Sequence, residues 1–355
     1  MKTKKSNKIP KFPKKLPGTF WGIVPFFNPA KYKNKIKNYR KFRESSKKQG
    51  LKLLTVELGF DNKFELTKND ADILIQINGS EKNIMWQKER LLNIGLKHLP
   101  KDCDKIAWLD CDIIFENDDW IKETSKLLEK YIVVQPFDKV VLLPKNKNPK
   151  NFPSSEIENK IIKGFNEGKY NINFASYYNE VKDKKLVLKN LKYHVGFAWC
   201  IRRKALKNNF YDRCILDGGD RVIAESFLAG KRGQFWQTSK FLERDIKKWQ
   251  IQTYKNVLGS ISYVKGTIHH LWHGSIENRK YKTRQKILKK FDFNPRTDIK
   301  LDRVNCWVWA SNKPHLHKQV KEYFSFRKEE ESFLNLQKLM IYKTLIKFLE
   351  KKNEQ

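Results

Sequence analysis

The sequence predicts an α/β fold, a mixed, mainly parallel sheet flanked by helices. Two observations carry this. Residues 19–58 read strand–helix–strand, which is how a parallel sheet begins. Residues 71–115 then repeat the pattern: a third strand, a strongly amphipathic helix and a buried strand. A chain of 355 residues with 39% hydrophobic and 13% aromatic content can bury a core, as one large α/β domain or two ordinary ones.

The elements follow in order. Residues 1–17, rich in lysine and punctuated by proline, read as a basic flexible arm. TFWGIVP (19–25) is aromatic and β-branched, a first strand that Phe26-Phe27-Asn28-Pro29 breaks. Residues 31–48 form a basic helix with Tyr32, Ile36, Tyr39 and Phe42 near helical spacing, ended by Gln49-Gly50. LKLLTVEL (51–58) and ADILIQI (71–77) are the next strands. In residues 81–99, Met85, Lys88, Leu91, Leu92, Gly95, Leu96 and Leu99 follow the helical period, and Pro100 stops it. The apolar run IAWLDCDIIF (106–115) follows as a buried strand.

Residues 120–130 are helical, and 131–143 hold a strand pair around YIVVQPF and KVVLL. Residues 146–170 read as a loop or lid with a short helix near 157–165. HVGFAWCI (194–201) is a strand, 205–209 a short helix, LDGGD (216–220) a glycine-rich turn and 221–229 a helix. TIHHLWH (267–273) is a late strand, and 279–288 is basic and helical. Residues 311–355 form a helical tail, with 318–352 mostly helix.

The net charge of +35 attracts polyanions, yet no helix-turn-helix, zinc-finger spacing or RNP-like motif accompanies it. Residues 1–50 alone carry 14 Lys and 2 Arg against one Glu. Nucleic acid is therefore not expected as the primary partner, and peripheral contact with anionic membrane stays open. No apolar run is long enough to span a membrane, and the basic N-terminus lacks the apolar region of a secretory signal. Five cysteines (103, 111, 200, 214 and 306) lack C-x-x-C spacing and fit buried thiols in a reducing, cytoplasmic setting.

Three constellations carry chemistry. Asp110 and Asp112 are one residue apart at the end of an apolar strand, so they share a side and crowd two negative charges. A hard divalent metal that also carries phosphate resolves that cost. In a strand over 267–273, residues 269, 271 and 273 share a face, His270 points away, and His273 beside Gly274 is an accessible third ligand. In LDGGD the glycines admit a close ligand, and Asp220 at a helix N-terminus is a candidate general base as well as a cap. A basic set, Arg202, Arg203, Arg279 and Arg284 with Lys88 and Arg90, could clamp phosphate. Glu57 ends the second strand, where a ribose or base could be held. Trp86, Trp199 and Trp272 could stack on a ring or fill the core.

These residues resemble a family. WLDCD (108–112) looks like the D-x-D motif of nucleotide-sugar glycosyltransferases with the GT-A fold. WQKERLLNIGLKHLP, KIAWLDCDIIFEN, HVGFAWCIRRKAL, LDGGDRVIAESFLAG and HLWHGSIENRKYKTR are similar, in the same order, to landmarks of GT-A-like proteins of bacteria and large DNA viruses. The resemblance spans about residues 19–300 and implies a GT-A domain over 18–310. It also implies Mn2+ or Mg2+ bridging the motif to the diphosphate of a UDP- or GDP-linked sugar, and a glycan or protein acceptor. By position, Asp110 would contact ribose or metal and Asp112 would ligate metal. LDGGD is similar to the G-G-[ED]-D region of the Golgi galactosyltransferases, which makes Asp220 the acceptor base, and their later metal-binding histidine falls on His273. Only one acidic residue follows the glycines here. Lys88 and Arg203 are the expected phosphate contacts and Glu57 the ribose contact.

The expected activity is metal-dependent sugar transfer to a hydroxyl, with inversion if Asp220 is the base. Two alternatives remain at this point. One is a sugar-phosphate nucleotidyltransferase, which would want a glycine-rich phosphate loop where PFFNPAKY stands. The other is a basic nucleic-acid-binding or virion structural protein.

Overall fold

The computed structural model describes residues 15–145, 147, 149, 175, 194–228, 237–275, 277–281 and 283–330. Most of the expected arm, nearly all of the expected loop over 146–170 and the tail beyond 330 lie outside the described residues.

The first half runs β1 (Thr19–Phe27), α1 (Lys33–Lys48), β2 (Lys52–Phe60), β3 (Ile73–Gly79), α2 (Lys88–His98), β4 (Cys103–Leu109), β5 (Ile113–Phe115), α3 (Trp120–Leu128), β6 (Val133–Gln135) and β7 (Lys139–Leu142). The second half adds β8 (Ala198–Arg202), α4 (Gly219–Ser226), α5 (Lys240–Val257), β9 (Ile261–Tyr263), β10 (Thr267–His270), α6 (Arg284–Lys290), β11 (Ile299–Leu301), β12 (Trp307–Trp309) and α7 (Pro314–Phe326).

Seven strands form the main sheet in the order β3-β2-β1-β4-β8-β6-β9. β3, β2, β1 and β4 are parallel; β8 runs antiparallel between β4 and β6, and β9 is parallel to β6. This is the expected mixed, mainly parallel sheet. Its strands are apolar on both faces. Ile23, Leu54, Ile106 and Trp108 enter one core cluster, while their chain neighbours Val24, Leu53, Ala107 and Leu109 enter another. Successive strand side chains point to opposite faces, so a continuous apolar run fits only a sheet covered on both sides. Leu91, Leu92 and Ile94 of α2 pack on the first face; Tyr39 and Phe42 of α1 and Trp120 of α3 cover the other.

β1 runs on through Pro25 to Phe27. Its last β4 partner is the Ile23–Trp108 pair, so Pro25 sits where only β2 remains as a neighbour. A proline is tolerated there because it interrupts no two-sided ladder. The expected strand pair over 131–143 forms as β6 and β7, but these do not pair with each other: β6 joins the main sheet and β7 a three-stranded sheet ordered β5-β10-β7. Pro136 between them supplies no N–H and turns the chain from one sheet to the other.

A third cluster joins α4, α5, α6 and α7 through Val222, Leu242, Ile246, Leu288, Leu316, Val320 and Tyr323. α5 was not among the expected elements; Ser239 caps it, accepting a hydrogen bond from the Leu242 N–H at 3.1 Å. α7, expected in a peripheral tail, buries Leu316, Val320, Tyr323 and Phe324. No helix among the described residues is long and apolar enough to cross a membrane.

Gly95 in mid-α2 marks how closely that helix lies on the sheet: a Cβ there would come within 2.7 Å of Ile23 Cγ2 and 3.1 Å of Leu54 Cδ2. Gly95→Val should therefore overpack the core. We expect a loss of about 1–3 kcal/mol in urea unfolding; unchanged stability would mean the helix packs less closely than described.

Candidate active site

An open cavity of about 1180 Å3 lies at the carboxyl ends of β1 and β4. Ligands of open α/β sheets bind at this end, because loops diverge there and leave a crevice. Three chain segments meet in it: the turn after β4, the residues after β10, and the LDGGD turn leading into α4.

The Asp110–Asp112 pair is not in a strand. β4 ends at Leu109, and the pair occupies the turn before β5. The two carboxylates therefore do not converge; each takes a different partner.

Asp112 faces His270 and His273. His270 Nε2 lies 3.6 Å from Asp112 Oδ1, and His273 Nε2 lies 3.6 Å from Asp112 Oδ2. One ligand atom from each of the three residues falls within 4.8 Å of the others. These separations are too long for hydrogen bonds. They are close to the roughly 3.0–3.5 Å expected between ligand atoms that share an ion through bonds of about 2.1 Å. Asp112 Oδ1 is buried and has no hydrogen-bond partner, an orphan that a cation would satisfy. His273 Nδ1 donates to the Leu271 carbonyl at 3.0 Å, so its proton is on Nδ1 and the Nε2 lone pair faces Asp112. Burial would push Asp112 up, but the His273 and His270 rings and Arg279 outweigh it and hold the carboxyl far below its usual range. Burial pushes His273 down to about 3 against the pull of Asp112. At neutral pH the pair is carboxylate and neutral imidazole, the forms that bind metal. The donor set fits a divalent ion.

The small sheet explains how ligands so far apart in sequence meet. β10 pairs antiparallel with β5, His270 opposite Ile113, and the Leu271 N–H extends the ladder to the Asp112 carbonyl at 2.8 Å. β10 ends at His270, so strand alternation stops there. His270, expected to point away, reaches the cluster together with His273. His269 still alternates: it is 1% exposed and bonded to Glu116.

Asp110 instead meets Lys88, the first residue of α2. Lys88 Nζ lies 2.6 Å from Asp110 Oδ1 and 2.9 and 3.0 Å from the Asp220 carboxylate oxygens. Burial disfavours the Lys88 charge, yet Asp110 and Asp220 lift its pKa well above the ordinary value, so it stays an ammonium. Asp220 sits in the first turn of α4, but burial outweighs both the helix N-terminus and Lys88, and pushes it up to about 6, with Asp110 and Asp217 adding. The turn that presents it needs left-handed backbone at Asp217 (φ 64°) and Gly218 (φ 104°).

A basic wall faces these groups. Arg284 pairs with Asp217 at 2.7 Å and donates to the Tyr323 hydroxyl; Arg327 donates to that hydroxyl and pairs with Glu329 at 2.6 Å; Arg279 donates to the His273 carbonyl at 2.9 Å. Arg327 and Glu329 follow α7, and their strap crosses Gly274, where a Cβ would come within 2.9 Å of the Lys328 carbonyl. Nothing local in the sequence marks these two residues; only the packing of α7 brings them here.

Other expected site residues lie elsewhere. Glu57 is 1% exposed, and its carboxylate accepts from the Glu65 and Leu66 N–H groups and from Gln76 Nε2. The chain folding back over the end of β2 consumes it, and it does not line the cavity. Arg203 lies at the opposite end of the sheet, donating to the Pro100 and Cys103 carbonyls. Arg202 donates to the Tyr131 carbonyl and Arg90 pairs with Asp212. Trp199 stacks on Trp108 in the core, while Trp86 and Trp272 line the cavity.

No protein-family model matches the chain. No curated protein sequence matches it either. Solved structures with a related arrangement include the glucosyl-3-phosphoglycerate synthase of Mycobacterium tuberculosis in complex with Mg2+ and UDP, at 12% identity and TM-score 0.35, covering 72% of this chain and 73% of that one. The catalytic domain of Drosophila β1,4-galactosyltransferase 7 with xylobiose is 13% identical at TM-score 0.39, covering 85% and 98%. The 4-diphosphocytidyl-2C-methyl-D-erythritol synthase of Anaerococcus prevotii is 11% identical at TM-score 0.33, covering 71% and 90%. At such scores the likeness carries no argument about the site, which rests on its own geometry.

That geometry separates the two aspartates. Asp112→Asn should weaken Mn2+ binding, measured by calorimetry or electron paramagnetic resonance, by at least the roughly 10–100-fold that even an outer partner is worth. His270→Ala should do the same. Asp110→Asn should leave affinity within the same order of magnitude; equal losses at 110 and 112 would restore a shared site.

Proposed function

We propose that the protein is a metal-dependent glycosyltransferase that moves a sugar from a nucleotide diphosphate sugar to an acceptor hydroxyl, with inversion. One observation carries the reading: a metal-competent triad, Asp112, His270 and His273, and a half-buried carboxylate, Asp220, open onto the same cavity beside a basic wall. Such a cavity can hold a charged leaving group at one side and a hydroxyl at the other.

Asp112, His270 and His273 would hold the ion; two imidazoles and one carboxylate suit Mn2+ better than Mg2+, which prefers oxygen and retained water. When bound, the ion supplies Lewis-acid neutralisation of charge on a diphosphate. Arg279, Arg284 and Lys88 add fixed positive charge, preorganised by their own partners. The donor is UDP- or GDP-linked and the acceptor a glycan or protein hydroxyl.

Asp220 is the base. As the acceptor oxygen bonds to the anomeric carbon and the bond to diphosphate breaks, the hydroxyl proton moves to a carboxylate oxygen of Asp220. A carboxyl raised to about 6 is ionised at neutral pH and basic enough to take that proton. Lys88, shared with Asp110, holds it in place. A nucleotidyltransferase would instead want its glycine-rich loop after β1, where Asn28-Pro29-Ala30-Lys31-Tyr32 stand.

Asp220→Asn should lower kcat by roughly 10²–10⁴-fold while Mn2+ affinity holds. In the native protein the rate should fall as pH drops through about 6, where Asp220 takes up a proton and stops being a base. Nuclear magnetic resonance of the product should show an inverted anomeric centre. A retained centre, or an Asp220→Asn variant of full activity, would remove Asp220 from this role.

A further inference from the structure

One buried carboxyl stands next to this machinery with no part in it so far. Glu89 follows Lys88 on α2 and is 2% exposed. Its Oε1 is buried and has no hydrogen-bond partner. The carboxyl lies against the first turn of α4: a Cβ on Gly219, the residue before Asp220, would come within 2.2 Å of Glu89 Oε1 and 2.3 Å of its Cδ. Glu89 thus fills the space that a glycine leaves open beneath the candidate base. It does not line the cavity, so it touches no substrate.

The charges around it are few and close. On α2, Lys88 opposes it; from the LDGGD turn and α4, Asp217 and Asp220 repel it; Cys214 faces it from the chain before the turn. Lys88 is already committed to Asp110 and Asp220, and Asp217 to Arg284. An ionised Glu89 would be a fourth carboxylate around two cations, with one oxygen bare in a dry site. Such a group neutralises rather than stays charged. Burial, with Asp220 and Asp217, drives the Glu89 carboxyl far upward despite Lys88, in agreement with that argument.

We propose that Glu89 is held as the neutral carboxylic acid and acts as a positioning residue for Asp220, supporting Gly219 from below without drawing on the charge of Lys88. The neutral group keeps Lys88 for Asp110 and Asp220, so the proton affinity of the base is set by two carboxylates rather than three. This role rests on the function proposed above; the protonation state does not.

Two measurements keep the two apart. With Asp220 present and no substrate added, infrared difference spectra at slightly alkaline pH, where Asp220 is ionised, with and without Glu89→Gln, read the Glu89 protonation state without any turnover. We expect the carbonyl stretch of a protonated carboxyl to be lost on substitution; loss of a carboxylate band instead would overturn the proposal whatever the protein catalyses. With Asp220 intact, Glu89→Gln should keep sugar transfer within about twofold and leave the acid limb of the rate profile in place, since an amide mimics the neutral acid. A fall of that limb by one pH unit, a tenfold change in proton affinity, would mean that a negative charge had been removed, and would also overturn it. Glu89→Ala, which empties the space under Gly219, should cost kcat far more than KM, whereas a merely structural residue would lower thermal stability and leave that ratio alone.

Discussion

Lys88 is the group on which the site depends. Its ammonium is buried at the start of α2, between Asp110 from the turn after β4 and Asp220 from the first turn of α4. No two of these three share a chain segment, so one cation ties the central sheet, a crossover helix and the second-half helices together at the cavity. Removing either side of such a pair strands a charge in a dry place, at a cost of about 3–5 kcal/mol. The interaction is thus both a clamp on the architecture and the setting of the candidate base. It also frees Asp112: with Asp110 neutralised, the neighbouring carboxylate is left to His270 and His273.

The second constraint is the pairing of β5 with β10. Metal ligands held on separate loops would pay entropy each time they gathered. Here the antiparallel ladder runs to the candidate ligands themselves, with the Leu271 N–H on the Asp112 carbonyl. The Nδ1 bond of His273 then fixes its tautomer. Backbone hydrogen bonding does the preorganising, and α7 and its strap close the far side with Arg327 and Glu329.

The sheet was legible because continuous apolar runs and a helical period leave few other arrangements, and the D-x-D turn and LDGGD because carboxylates and glycines stand out beside them. Partners were harder to read. Asp110 and Asp112 share a face only if the strand continues, and it stops at Leu109. His270 points away only if the strand passes it, and it ends there. Both errors come from strand ends, which tertiary pairing decides and periodicity does not. Glu57 and Arg203 looked functional by type and position, but backbone groups of neighbouring segments consume them. Arg327 and Glu329 left no trace in the sequence, because what makes them site residues is the burial of Leu316, Val320 and Tyr323 upstream.

The central proposal is that this cavity binds a metal and a nucleotide diphosphate sugar together and breaks the bond between the sugar and the diphosphate. Release of nucleoside diphosphate from a panel of UDP- and GDP-linked sugars, with and without Mn2+, tests it most directly. The account requires Mn2+-dependent release from at least one donor, lost in Asp112→Asn. Release that persists without metal, or no release and no nucleoside diphosphate binding from any donor, would contradict it.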